Sequence, residues 1–211
     1  MNAVMFTATK LDGRSSDEWE LIRSIRLSPI ASIVTDARAD DNPIIAANRQ
    51  FEQLTRYSES ELVGRNCRIL AGPETQRAHS AALAHAVATA APVVLKLLNY
   101  RKNGSKFLNA VMIAPVFDDQ AELAYFVGSQ MEVAAGQGDL LRASAAARVD
   151  QLTRQQQAVL RLMAKGMRNR QIGEHLGLTE KTIKMHRGGL VKRLGVSSTV
   201  EAMRLAIEAG F

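Results

Sequence analysis

The sequence predicts an α+β unit, an antiparallel five-stranded sheet with flanking helices, followed by an all-α unit of four helices. Three observations predict this. Strand-like runs rich in β-branched residues fall only before residue 134, and two strands, several small helices and three more strands are not a repeating βαβ pattern. From Leu152 onward apolar positions recur at helical spacing, with no strand-like run. Charge divides at the same place. Residues 1–150 carry 16 basic and 17 acidic side chains and residues 151–211 carry 11 and 4, so the net charge of +6 belongs to the second unit. A basic compact unit points to a polyanion partner.

The elements follow in order. Residues 1–14 lack periodicity and read as a flexible N-terminus. Residues 15–27 read as a flanking helix: Ser15 and Glu18 have capping-box spacing, Trp19, Ile22 and Leu27 supply apolar positions, and Pro29 ends it. "IASIVTDA" is a strand, "DDNP" a turn, and "IIAANRQFEQLTRY" a second strand leading into a helix. "SESELVGRNCRIL" gives short helical pieces around Gly64, and "AHSAALAHAVATAA" a helix that stops before Pro92. "VVLKLLNYRK", "KFLNAVMIAPVFD" and "LAYFVGSQMEV" are strands, the first two joined by Asn103–Gly104, a hairpin signal. Residues 134–150 read as a helical linker to the unit at 151–211.

Composition narrows the function classes. With 46% hydrophobic and 23% charged residues, the chain is ordinary for a globular protein. No apolar run approaches a membrane span, and no basic start leads into a long apolar core, so neither membrane insertion nor secretion is expected. A single cysteine fits a reducing, cytoplasmic setting and excludes a disulfide scaffold or a multi-thiolate metal site. No metal is expected.

Period two on the late strands places Leu95, Leu97 and Asn99 on one face, then Asn109, Val111 and Ile113, then Phe126, Gly128 and Gln130. On a shared concave side, three amides would stand over an apolar floor, suited to a flat heterocycle whose edge alternates C=O and N–H. Gly128 would leave room for it. Alternation alone leaves open that these amides face solvent or satisfy backbone groups.

"GRNCRIL" and "AGPET", then "LLNYRKNG", "FLNAVMIAP" and "YFVGSQ", resemble in order the LOV family, the flavin-binding blue-light branch of the PAS fold, over residues 28–133. The resemblance implies a bound flavin whose C4a carbon lies beside Cys67. Blue light drives a cysteinyl–flavin bond that reverts in the dark. It also implies Asn66 toward the ribityl chain, Arg68 toward the phosphate, Asn99 and Asn109 on the pyrimidine edge, and Gln130 near N5 and O4. Leu97, Val111, Phe126 and Gly128 would line the site. Gln130 would change its hydrogen bonding when N5 gains a proton. The chain departs from the family at Ile69, Ala71 and Ala84. Ala84 stands where a second phosphate arginine is usual, with Arg77 and His85 the nearby candidates to replace it. The expected cofactor is FMN, with riboflavin or FAD admitted.

In residues 152–211, Thr153 with Gln156 and Ser198 with Glu201 have capping-box spacing, Thr179 suits an N-cap, and Gly166 ends the first helix. Two short helices around a Gly-containing turn suggest helix-turn-helix. The stretch resembles the LuxR-type helix-turn-helix family over its whole length. The resemblance implies that the third helix reads double-stranded DNA through Lys181, Thr182, Lys184, Met185, His186 and Arg187, that Arg168, Asn169 and Arg170 contact the backbone, and that the fourth helix dimerises through Val200, Met203 and Ile207. Gly188–Gly189 inside the third helix implies either close packing or a bend.

The reading is a one-component blue-light-regulated bacterial transcription factor and not an enzyme, since no base pairs with Cys67. The sheet covers the helix-turn-helix unit in the dark, and light frees it to form a homodimer on DNA. The alternative is a PAS–helix-turn-helix regulator sensing redox state or a small ligand through flavin. A phosphorylated response regulator fits poorly, because the first half lacks alternating β and α elements.

Overall fold

The structure, a computed structural model, describes residues 16–134 and 136–211. Five strands, β1 (Ala31–Asp36), β2 (Ile44–Ala47), β3 (Val93–Tyr100), β4 (Lys106–Phe117) and β5 (Leu123–Glu132), form one antiparallel sheet in the order β2-β1-β5-β4-β3. Helices α1 (Ser16–Arg26), α2 (Arg49–Thr55), α3 (Glu59–Leu62) and α4 (Arg77–Ala88), with a 3₁₀ turn at Cys67–Leu70, flank it. The C-terminal part is helical: α5 (Gly138–Asp150), α6 (Arg154–Ala164), α7 (Asn169–Leu176), α8 (Glu180–Leu194) and α9 (Thr199–Glu208). No helix among the described residues is long and apolar enough to cross a membrane.

Ser15, half of the expected capping box, lies outside the described residues, as do residues 1–14. The expected apolar stripe of α1 needs correction. Ile22 and Ile25 are the buried pair, whereas Trp19 is 44% and Leu27 59% exposed. An i, i+3 pair faces the sheet, and Leu27 falls beyond the last turn. Asn48 ties this end of the fold together. Its Oδ1 accepts from the Ser32 and Phe51 amides, N-capping α2, and its Nδ2 donates to the carbonyls of Ile25, Ser28 and Ile30. The β3–β4 hairpin turns through residues 101–105, with Gly104 at φ 80° where a side chain would be strained.

The two sheet faces have different partners. Ala31, Ile33, Ile44, Ala47, Phe51, Leu62 and Leu70 form a core on the side of α2 and the 3₁₀ turn. On the other side Val34, Met112, Ala114, Tyr125 and Val127 share one continuous apolar core with α5, α6, α8 and α9. Fully burying a side chain of this size contributes about 1.5–3 kcal/mol. The half-buried Arg168 also joins the two parts, pairing with the exposed Asp119 at 3.7 Å.

The stretch at 134–150 is more than a connector. Its helix α5 packs on α9 and buries Ala145 and Val149. Thr153 caps α6 in a capping box with Gln156, Thr179 caps α8, and Ser198 Oγ accepts from the Glu201 amide to cap α9. Gly188 and Gly189 lie within a continuous α8. A Cβ on Gly189 would stand 3.2 Å from Gln156 Nε2, while one on Gly188 would meet nothing within 4 Å.

Candidate ligand cavity and nucleic-acid interface

The pleat of β3, β4 and β5 turns one face onto a cavity of about 710 Å³. Leu97 and Asn99, Val111 and Ile113, and Phe126, Gly128 and Gln130 line it from the sheet; Asn66, Cys67, Arg68 and Ala71 line it from the 3₁₀ turn. Helix α4 closes the side with Leu83, Ala84 and Val87, while Arg77 and His85 do not line the cavity. The space at Gly128 is bounded by Ile33, whose Cγ1 would lie 3.0 Å from an added Cβ.

The three amides do not face solvent. They form a chain ending on the only cysteine. Asn99 Nδ2 donates to the Leu70 carbonyl at 3.1 Å, and Asn109 Nδ2 donates to Asn99 Oδ1 and Gln130 Oε1 at 2.8 Å each. Gln130 Nε2 donates to Cys67 Sγ at 3.3 Å. Asn109 stands behind the wall, fully buried, and couples the two amides that line it. The antiparallel register dictates this: Asn99 pairs with Phe107 and Val111 with Gln130, so Asn109 falls between them on the same face.

Three buried oxygens at this site lack partners: Asn109 Oδ1, Thr35 Oγ1 and Asn42 Oδ1. Thr35 and Asn42 line the cavity. A buried polar group without a hydrogen bond costs about 1–3 kcal/mol. The cavity's apolar walls and the Asn99 and Gln130 amides that line it suit a flat ligand bearing its own donors and acceptors. The residues therefore fit a flavin-like heterocycle.

Cys67 opens the 3₁₀ turn, and what surface it keeps faces the cavity. Burial pushes its thiol up to about 11, against the hydrogen bond from Gln130, so it stays protonated at neutral pH. Asn66 caps the turn, its Oδ1 accepting from the Arg68 amide, while its Nδ2 donates to the Asp41 carbonyl. Arg68 pairs with the Asp41 carboxylate at 2.6 Å. Thr35, Asp41 and Asn42 are site residues that the sequence reading missed. "DDNP" signalled only a turn, and that turn, with Asp41 and Asn42 at φ 66° and 48°, brings both to the cavity.

In the helical unit, α7 and α8 form two helices around Gly177, which ends α7 in the left-handed conformation. Lys181, Lys184 and Met185 are exposed on α8, and Thr182, His186 and Arg187 half-buried. Lys184 pairs with Glu180, and Arg170 with Glu174. Three residues expected at a DNA surface are engaged within the chain. Arg168 Nε donates to the Phe117 carbonyl at 2.6 Å, and Arg187 Nη1 donates to Asn169 Oδ1 at 2.5 Å. Burial lowers the Arg187 pKa, partly offset by Glu20 of α1.

The expected dimerisation set also points inward. Val200 and Met203 are 2% and 6% exposed, because α9 lies on the sheet face opposite the cavity, and Ile207 is half-buried. Arg204, 2% exposed, fixes that packing. Its Nη1 donates to the Ser129 carbonyl and hydroxyl, its Nη2 to the Ala110 carbonyl, and its Nε to Glu208 at 2.7 Å.

Residues 30–134 match the family model of the PAS domain, and residues 150–206 that of bacterial regulatory proteins of the luxR family. Phototropin-1A of Oryza sativa is 44% identical over 100 residues, 47% of this chain and 11% of that protein. The blue-light photoreceptor of Listeria innocua is 39% identical over 113 residues, 54% of this chain and 44% of that protein. The dark structure of the blue-light photoreceptor Aureochrome1 LOV is 33% identical with a TM-score of 0.53, covering 61% of this chain and 91% of that one. The chain belongs to the LOV family of PAS domains, joined to a luxR-family domain. It spans less than half the length of the two curated relatives. The LOV cavity and the luxR-family helix α9 thus occupy opposite faces of one sheet, with Gln130 on one face and its neighbour Ser129 on the other.

Proposed function

We propose that this chain is a one-component transcription factor in which blue light, absorbed by flavin in the LOV cavity, controls DNA binding by the luxR-type unit. One observation carries the reading. The Cys67 thiol is held by Gln130, and the next residue on β5, Ser129, holds Arg204 of α9. A change at the thiol therefore has a path one residue long to the helix that packs the DNA-binding unit.

Bound flavin supplies blue-light absorption and the acceptor for the Cys67 thiol. Cys67 is a neutral thiol at neutral pH, and burial raises its pKa further above that range. Were the Cys67 sulfur to bond to bound flavin, its proton would pass to the ring, and Gln130, whose Nε2 donates to that sulfur, would have to change its hydrogen bonding. That shifts β5 relative to Asn109 and to the Arg204 contacts. Opening requires that the two states of the site interact differently with the closed and open chain.

In the closed chain α9 is buried and Arg168, Asn169 and Arg187 are engaged internally. Release makes both sets available: α9 to a second copy through Val200, Met203 and Ile207, and α8 to the major groove. The exposed Lys181 and Lys184 suit phosphates and Met185 an apolar base contact. A regulator of this kind works in the cytoplasm.

The test is an absorption spectrum and a DNA-binding titration of the flavin-loaded chain, dark and under blue light. Bleaching of the flavin band with dark recovery, and tighter DNA binding in light, is the expected result. Equal affinity in both conditions would defeat the reading. Cys67→Ser should lose the light response; a redox response surviving in that variant would favour the redox-sensing alternative.

A further inference from the structure

Charge at the cavity mouth is balanced within the chain. Among the described residues lining the cavity, Arg68 is the only cation and Asp41 the only carboxylate. One guanidinium nitrogen of Arg68 lies 2.6 Å from both Asp41 oxygens. Asp41 is fixed there, since its carbonyl accepts from Asn66 Nδ2 and its backbone is left-handed. Helix α4 offers no second cation: its lining residues are Ser80, Leu83, Ala84, Val87 and Ala88.

We propose that this chain selects its flavin by the ring and the polyol and not by the terminal phosphate, so that riboflavin binds about as tightly as FMN. The proposal rests on the flavin reading above. A phosphate reaching the mouth must share Arg68 with Asp41, whose carboxylate repels it. The Arg68 and Asp41 side chains are 66% and 59% exposed, so attraction gained there is screened by water and salt.

The test titrates the flavin-stripped chain with riboflavin and with FMN, following flavin fluorescence at low and high salt. The two dissociation constants should agree within about threefold, and the FMN value should vary little with salt. Asp41→Asn, which removes the competing carboxylate at nearly constant size, should tighten FMN relative to riboflavin by about tenfold. FMN more than about tenfold tighter than riboflavin in the unaltered chain would overturn the proposal, as would an equal response of both flavins to Asp41→Asn. Failure of both flavins to bind would defeat the flavin reading itself, a result distinguishable from phosphate selectivity.

Discussion

On the cavity side of β4 and β5, Asn109 is wholly buried with its Oδ1 unpartnered; on the other side, Arg204 is as deeply buried and bonded to Ser129, Ala110 and Glu208. The two faces are one strand thick and built from alternate residues of the same segments. One opens onto the cavity, and the other is covered by α9. The difference teaches which face can take a ligand and which is covered by the chain itself. Gln130 and Ser129 are adjacent on β5, so in the proposed switch a shift of that strand would reach both faces.

The largest effect is expected where the closed face is opened. Arg204→Ala leaves Glu208, 9% exposed at its side chain, without its partner and removes donors from two buried carbonyls. Breaking a buried pair from one side costs about 3–5 kcal/mol. Amide hydrogen exchange should show α9 losing protection in the dark, and gel filtration should show dark association. The paired change Arg204→Met with Glu208→Leu should recover most of the loss. Unchanged protection of α9 in Arg204→Ala would mean that apolar packing alone holds the closed face.

On the open face, Asn109→Leu should act through the ligand. Asn99 Oδ1 and Gln130 Oε1 each lose a donor, at about 1–3 kcal/mol where no water replaces it. The variant also deletes the orphan Oδ1, which offsets part of that loss in the flavin-free chain. Thermal melts should therefore show a larger drop for the loaded protein than for the flavin-free one. Equal drops would mean that Asn109 serves the fold and not the ligand.

A second seam between the two units sharpens the comparison. Gly166, at φ 85°, has its carbonyl accepting from the Phe117 amide, and a Cβ there would lie 2.3 Å from the Pro115 carbonyl. Gly166→Ala should cost about 1–3 kcal/mol. Gly188→Ala, with nothing within 4 Å, should stabilise α8 by roughly 1 kcal/mol. Denaturant melts of the pair check both signs.

These residues also show how far sequence reaches. The five strands, the amide-bearing face and the caps at Thr153, Thr179 and Ser198 were legible, because period two and cap chemistry are local. Asn48, Asp41 and Asn42 were not, since their roles depend on turns that bring distant backbone together. Arg204 was hidden for a different reason. An arginine on a terminal helix of a basic unit reads as a solvated charge, and only tertiary packing reveals that it closes a sheet. The stripe of α1 was misread because Trp19 and Leu27 are apolar by type but lie off the face that Ile22 and Ile25 present.

The smallest expected effect concerns the thiol on the cavity side. Burial raises the Cys67 pKa from about 9 to about 11, and the Gln130 hydrogen bond opposes that rise. The folded chain therefore prefers the protonated thiol more than the unfolded chain does. By linkage, this group's contribution to stability is complete below about pH 9 and is lost as pH rises toward about 11. In the flavin-free protein, alkylation of the single cysteine should be slow at neutral pH and should accelerate with a midpoint near 11. Gln130→Leu removes the opposing hydrogen bond, so its midpoint should lie higher still. A midpoint below about pH 7 would mean that Cys67 is a thiolate at neutral pH, and the neutral resting state of the switch would have to be abandoned.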